Sequence, residues 1–295
     1  MCYKPRKRLF FLLGVGTLLL ALLSALMLAG CLSKPGSEPL IQKSSENEFN
    51  EALSDQGFEA QVFTELVEES PPVLLTANDI VALPAGTIIQ MEQLDTSGLS
   101  VYFVSIPIPD DVFTRINGKS YVENPYVSLD DLRYLKLLHY NFEHQVQVGE
   151  LIVSAELDLE FLEIFRELFY REYEIQSMHL VDNFWTGDTI TTDDASIAVN
   201  NTSAFSYRIV PETGNLSKHA FGKAIDINPR QNPYVEYYDG VPYWEDENAD
   251  PYIDRSSGND HMITHDDDCF IIFQSYGYIW GGDWWFPLDY QHFEK

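Results

Sequence analysis

Residues 217–226 read SKHAFGKAID and place a histidine, His219, seven positions before an aspartate, Asp226. Both side chains can ligate a metal. Zinc bonds of about 2 Å would bring their donor atoms to within roughly 3–4 Å of each other. An unbroken strand would separate the two residues by about 23 Å, and a helix by about 10 Å. The chain must therefore turn back between them. Gly222 permits such a turn, and AIDIN then reads as a strand presenting Asp226. Taken alone, the pair also fits a core histidine beside a surface aspartate.

The chain end, WGGDWWFPLDYQHFEK, adds Asp289 and His292 in an aromatic setting. His292 offers a third ligand, and three protein ligands plus one open position make the donor count of a catalytic zinc. Hydrolysis also needs a general base in reach of the activated water, and Asp289, three residues before a ligand, is the candidate. His139, His144, His179, His261 and His265 lack a comparable carboxylate partner and read as structural. Cys269, in the apolar run CFIIF, reads as a buried inert thiol.

These residues carry a family resemblance. SKHAFGKAID resembles the SxHxxGxAxD motif of the zinc D-alanyl-D-alanine peptidases, relatives of the vancomycin-resistance dipeptidases and carboxypeptidases. The wider group includes lysostaphin-type enzymes and the zinc domain of hedgehog. The likeness extends to NNTSAFSYR upstream, INPRQNPYV directly after, and WGGDW with DYQHFEK at the end, over roughly residues 100–295. It implies one zinc ion per chain held by His219, Asp226 and His292, and Asp289 as the base where many relatives have Glu. It implies that Arg208 contacts the substrate near the scissile carbonyl, where a fixed cation steadies an oxyanion. Ser217 becomes a substrate-binding residue, although a bare serine there also suits a turn or cap. One of Trp280 and Trp284 is expected in the core and the other along the groove. The implied activity is hydrolysis of peptidoglycan stem peptides, foremost as a D-alanyl-D-alanine carboxypeptidase. An endopeptidase or a non-catalytic cell-wall-binding lipoprotein of the same fold is the alternative.

The elements that would hold these residues mix without a βαβ rhythm, so the fold class is α+β. The resemblance implies a small, mostly antiparallel sheet flanked by helices. IVALPAGTIIQM, LSVYFVSIPI and IQSMHLV read as strands. SLDDLRYLKLLHYNF reads as a helix capped by Ser128, with apolar residues at 132, 135, 138 and 142. ELDLEFLEIFRELFYREY reads as an amphipathic helix with Phe161, Ile164, Phe165, Leu168 and Phe169 on one face. THDDDCFIIFQSYGY reads as a helix begun by Thr264 and three aspartates and stopped near Gly277. Residues 234–260 read as a long ordered loop walling the cleft. Their carboxylates lack the spacing of a calcium loop.

Composition places the chain outside the cytoplasm. MCYKPRKR followed by a charge-free apolar run to residue 30 makes an export leader, 1–30. LAGC at 28–31 resembles a bacterial lipobox, which makes Cys31 the lipidated residue; an uncleaved membrane anchor is the alternative. Residues 31–75, rich in Ser, Glu, Gln and Pro, read as an acidic flexible spacer, and 76–295 as the peptidase domain. Without the leader, 46 acidic residues face 14 basic ones. Such a surface repels nucleic acid and anionic lipid headgroups. The partners expected are peptidoglycan peptides, and the membrane through the lipid alone.

Overall fold

The computed structural model describes residues 72–210 and 214–295. The leader, Cys31 and the spacer lie outside the described residues, apart from 72–75. Among those described, no helix is long and apolar enough to cross a membrane.

The first helix starts where a strand was expected. Thr76 accepts from the Asp79 amide while the Asp79 carboxylate accepts from that of Thr76, a reciprocal cap that begins α1 (Ala77–Ala82). β1 (Ile88–Ile89), β2 (Val104–Ile106) and α2 (Asp110–Ile116) follow, and LSVY forms a 3-10 turn rather than strand. The segment 128–142 corrects a second expectation. Ser128 and Asp131 do cap each other, but they cap only a 3-10 turn, and Leu132–Tyr140 is a strand, β3. It pairs along nine positions with β4 (Val146–Ser154). Apolar residues at 132, 135 and 138 suit a helix, yet Tyr134 and Leu137 between them are equally buried. A strand covered on both faces gives such a continuous run, which helical spacing imitates. His139 and His144 therefore flank a hairpin turn, not a helix end.

Glu150 on β4 stands opposite Lys136 and accepts both Arg115 Nη groups, at 2.9 and 2.6 Å, and the Tyr134 hydroxyl at 2.6 Å. This network fastens α2 to the sheet. α3 (Asp158–Tyr170) buries the five residues expected of it. Then come β5 (Ser177–Met178), α4 (Thr189–Ala198) and β6 (Asn201–Thr202). α4 carries little apolar pattern, and no helix was expected there.

β7 (Ala224–Asp226) precedes β8 (Tyr234–Tyr238) and β9 (Val241–Tyr243). The first part of the expected long loop, 234–243, is thus a hairpin, turned at Asp239 and Gly240, both with positive φ, while 244–260 holds one 3-10 turn and otherwise irregular chain. α5 (Asp268–Ser275) is capped by Asp267, three residues past the expected start, and Gly277 follows it at φ +83°. β10 (Ile279–Trp280), β11 (Leu288–Asp289) and β12 (His292–Glu294) end the chain. The strands form antiparallel sheets ordered β1-β4-β3-β2, β10-β12-β7 and β11-β8-β9, with β5 and β6 as a parallel pair. The α+β class holds. The main core lies between the long hairpin, α3, α5 and the β10-β12-β7 sheet, with Phe293 stacked on Phe273.

Candidate metal centre

Strand pairing builds most of the site. β12 runs antiparallel to β7 with His292 opposite Asp226. His219 comes from the 3-10 turn Lys218–Phe221, which ends at Gly222 in the left-handed region, φ +63°. A Cβ there would lie 2.5 Å from the Ser154 amide nitrogen, and the Gly222 carbonyl accepts from that same amide. Glycine is thus required twice, for the turn and for the close approach to β4. Among the described residues, His219, Asp226 and His292 form the one group of three with ligand atoms at metal-binding spacing, all within 4.8 Å. All three are buried.

The outward nitrogens fix the tautomers. Nδ1 of His219 lies 2.5 Å from the Ala204 carbonyl oxygen, which can only accept, so the proton is on Nδ1 and Nε2 carries the lone pair. Nε2 of His292 lies 3.2 Å from Glu294 Oε2, so its Nδ1 carries the lone pair. These two lone-pair nitrogens are 3.1 Å apart, and the Asp226 oxygens lie 3.2 and 3.1 Å from them. Three donor atoms so close are satisfied by a proton on His292 or by a metal ion among them, and two nitrogens with one carboxylate oxygen suit zinc. The partners on the far nitrogens are those that orient metal-bound imidazoles. Burial works against a charged His292, yet without a metal the hydrogen bonds to Asp226 and Glu294 hold its pKa up at about 10, so a metal would take the place of the proton on Nδ1. Burial likewise opposes the Asp226 charge, and the two histidines outweigh it, holding that carboxyl well below its usual range.

Asp289 adjoins the group from β11, which pairs with β8. Its carboxyl is buried, and Oδ1 has no hydrogen-bond partner. Burial first, and then the Asp226 charge, push its pKa to about 7, against the pull of His292 and Arg208. A carboxylate titrating there can both take and return a proton at neutral pH. WGGD explains how it fits. A Cβ on Gly281 would stand 2.5 Å from the Asp289 carbonyl oxygen, and one on Gly282 would strike the Trp280 ring.

Residues 211–295 match the family model of D-alanyl-D-alanine carboxypeptidases. That segment is similar to this peptidase family over 85 of the chain's 295 residues. It is the family that SKHAFGKAID and DYQHFEK resemble, and the matched stretch holds all three candidate ligands, Asp289 and Ser217. Arg208 lies just before it. No curated protein and no solved structure gives a significant match.

Around the peptidase motif the structure sorts the remaining residues. Ser217 caps the ligand turn, its hydroxyl accepting from the His219 amide at 3.2 Å. Its own amide donates to the Arg208 carbonyl. Trp280 is the core tryptophan, packed on Phe270 and Phe293, with Nε1 donating to the Tyr290 carbonyl. Trp284 is only partly buried and lies beside the candidate ligands, its ring centroid 5.2 Å from that of His292. Arg208 acts electrostatically on Asp226 and Asp289, but its Nη2 is paired with Asp193 of α4 at 2.9 Å. Asp193 and Glu294 are participants that motif reasoning missed. Glu294 had a signal, since two residues along a strand from His292 it shares that face. Asp193 had none in TITTDDASIA. Cys269 is buried and unpaired, as expected.

Proposed function

We propose that the protein is a zinc peptidase that hydrolyses peptidoglycan stem peptides at the outer face of the cytoplasmic membrane, anchored by lipid on Cys31. The convergence of the His219, Asp226 and His292 donor atoms beside a buried carboxyl, Asp289, carries this reading. Zinc held there supplies a Lewis acid that polarises the scissile carbonyl and makes water acidic enough to ionise near neutral pH. Asp289 takes that proton at its unpartnered oxygen and returns it to the leaving amine. Arg208 donates to a substrate carbonyl oxygen near the scissile bond. Trp284 stands beside His292, where it would flank a bound peptide.

Location agrees with this chemistry, because stem peptides lie outside the membrane to which the leader and LAGC direct the chain. The matched family's name makes removal of a terminal D-alanine the first reaction to test. Cleavage of an internal bond is the second reading, favoured by the Arg208–Asp193 pair. Digestion of defined muropeptides with and without chelator, followed by mass spectrometry, separates them. Loss of one D-alanine marks a carboxypeptidase, and internal cuts an endopeptidase. Muropeptides that bind zinc-loaded protein and stay intact would sink the catalytic reading.

A further inference from the structure

Two nitrogens on one edge of the Arg208 guanidinium differ. Its Nη2 meets Asp193 Oδ2 at 2.9 Å, with the two side chains only 17% and 16% exposed. Its Nε is buried and has no hydrogen-bond partner. Nη2 is thus paired with a carboxylate, while the neighbouring Nε–H is a donor with nothing to donate to. The surroundings are acidic. Asp193, Asp226, Asp289 and Asp194 all act on Arg208, and Glu245 acts on Asp194 in turn. A carboxylate arriving at Arg208 would compete with Asp193 and add negative charge among these acids. A neutral carbonyl oxygen needs only the free Nε–H.

We propose that Asp193 is a positioning residue that holds Arg208 by Nη2 and leaves the adjacent Nε–H for a neutral substrate carbonyl. The site therefore prefers a peptide that continues past this subsite over one that ends there in a free carboxylate. The inference rests on the peptidase reading and narrows its substrate. Asp193 acts through Arg208 and touches no reacting atom. It lies on α4, outside the family-matched residues.

The test uses zinc-loaded protein and two peptides of one sequence ending in D-Ala-D-Ala, one as the free acid and one as the C-terminal amide. Their kcat/KM ratio is measured for the wild type, Asp193→Asn, Asp193→Ala and Asp193→Glu. Because both peptides meet the same sample, a loss of folded protein cancels from the ratio. The wild type should favour the amide by about tenfold, the scale of one charge-assisted hydrogen bond. Asp193→Asn should abolish that preference, and Asp193→Glu should restore it. Asp193→Ala should also lower kcat on both peptides, since Arg208 is then unfastened. Wild-type preference for the free acid, or an unchanged ratio in Asp193→Asn, overturns the proposal. If neither peptide is cleaved, the peptidase reading fails, and calorimetric binding of the same pair still decides the role of Asp193.

Discussion

Asp226 and His292 occupy one register position of the antiparallel pair β7 and β12. Directly opposed residues have Cβ atoms about 4.5–5.5 Å apart, so strand pairing itself brings these two ligands together. Hydrophobic packing of Ile225 and Phe293 sets that register, and both are fully buried. Two of the three ligands are therefore organised by the core and do not wait for an ion.

It follows that chelation should remove the metal without unfolding the chain. Far-UV circular dichroism should stay unchanged while Tm falls, because an ion at about a thousandfold over its Kd adds roughly 4 kcal/mol. Asp226→Ala and His292→Ala should lose the metal-dependent gain in Tm. A gain as large as that of the wild type in either variant would remove that residue from the ligand set.

Asp289→Asn separates base from ligand. Turnover should drop by about 10²–10⁴-fold, the range for general-base catalysis. Zinc stoichiometry by atomic absorption should remain one per chain. Zinc lost with the activity would make Asp289 a ligand.

Gly222→Ala should destabilise by on the order of 2 kcal/mol or more, since it adds a clash with Ser154 to the strain of positive φ. Gly240→Ala is the control, with φ +79° and open space around the new carbon. It should cost only the conformational strain, about 1 kcal/mol. Equal losses in denaturant midpoints would show that the contact with β4 contributes nothing.

His139 governs part of the acid limb of stability. Its ring is buried on β3; Nδ1 lies 3.2 Å from the Tyr140 carbonyl oxygen and Nε2 has no partner. Burial lowers its pKa from 6.5 to about 4, against backbone hydrogen bonds that raise it. The folded state thus binds this proton less readily than the unfolded state. Stability is full above pH 6.5 and declines as pH falls towards 4, by on the order of 3 kcal/mol in all. Unfolding of His139→Gln across that range should show a limb flatter by about this amount. An identical slope would mean that the imidazole is hydrated in the native state.

The convergence of the candidate ligands was more legible in the sequence than the scaffold. The turn at Gly222 could be read from local geometry, and the DYQH tail was joined to it by donor count and by the family resemblance. β3 was misread because a doubly covered strand and one side of a helix share apolar residues at 132, 135 and 138. The hairpin of residues 234–243 was hidden because its strands bury few side chains, leaving no strong alternation. Asp193 was invisible for another reason: its partner stands fifteen residues on, and only the packing of α4 joins them.

The seat of Gly222 against Ser154 also limits what can be transplanted. A fragment beginning at residue 211 carries every candidate ligand and the base. It leaves behind β4, the surface against which the His219 turn is moulded, and Ala204, which sets that histidine's proton. Placed on another scaffold, the matched segment would bring the right residues in the wrong poses. Inheritance of this centre is therefore inheritance of the long hairpin with it.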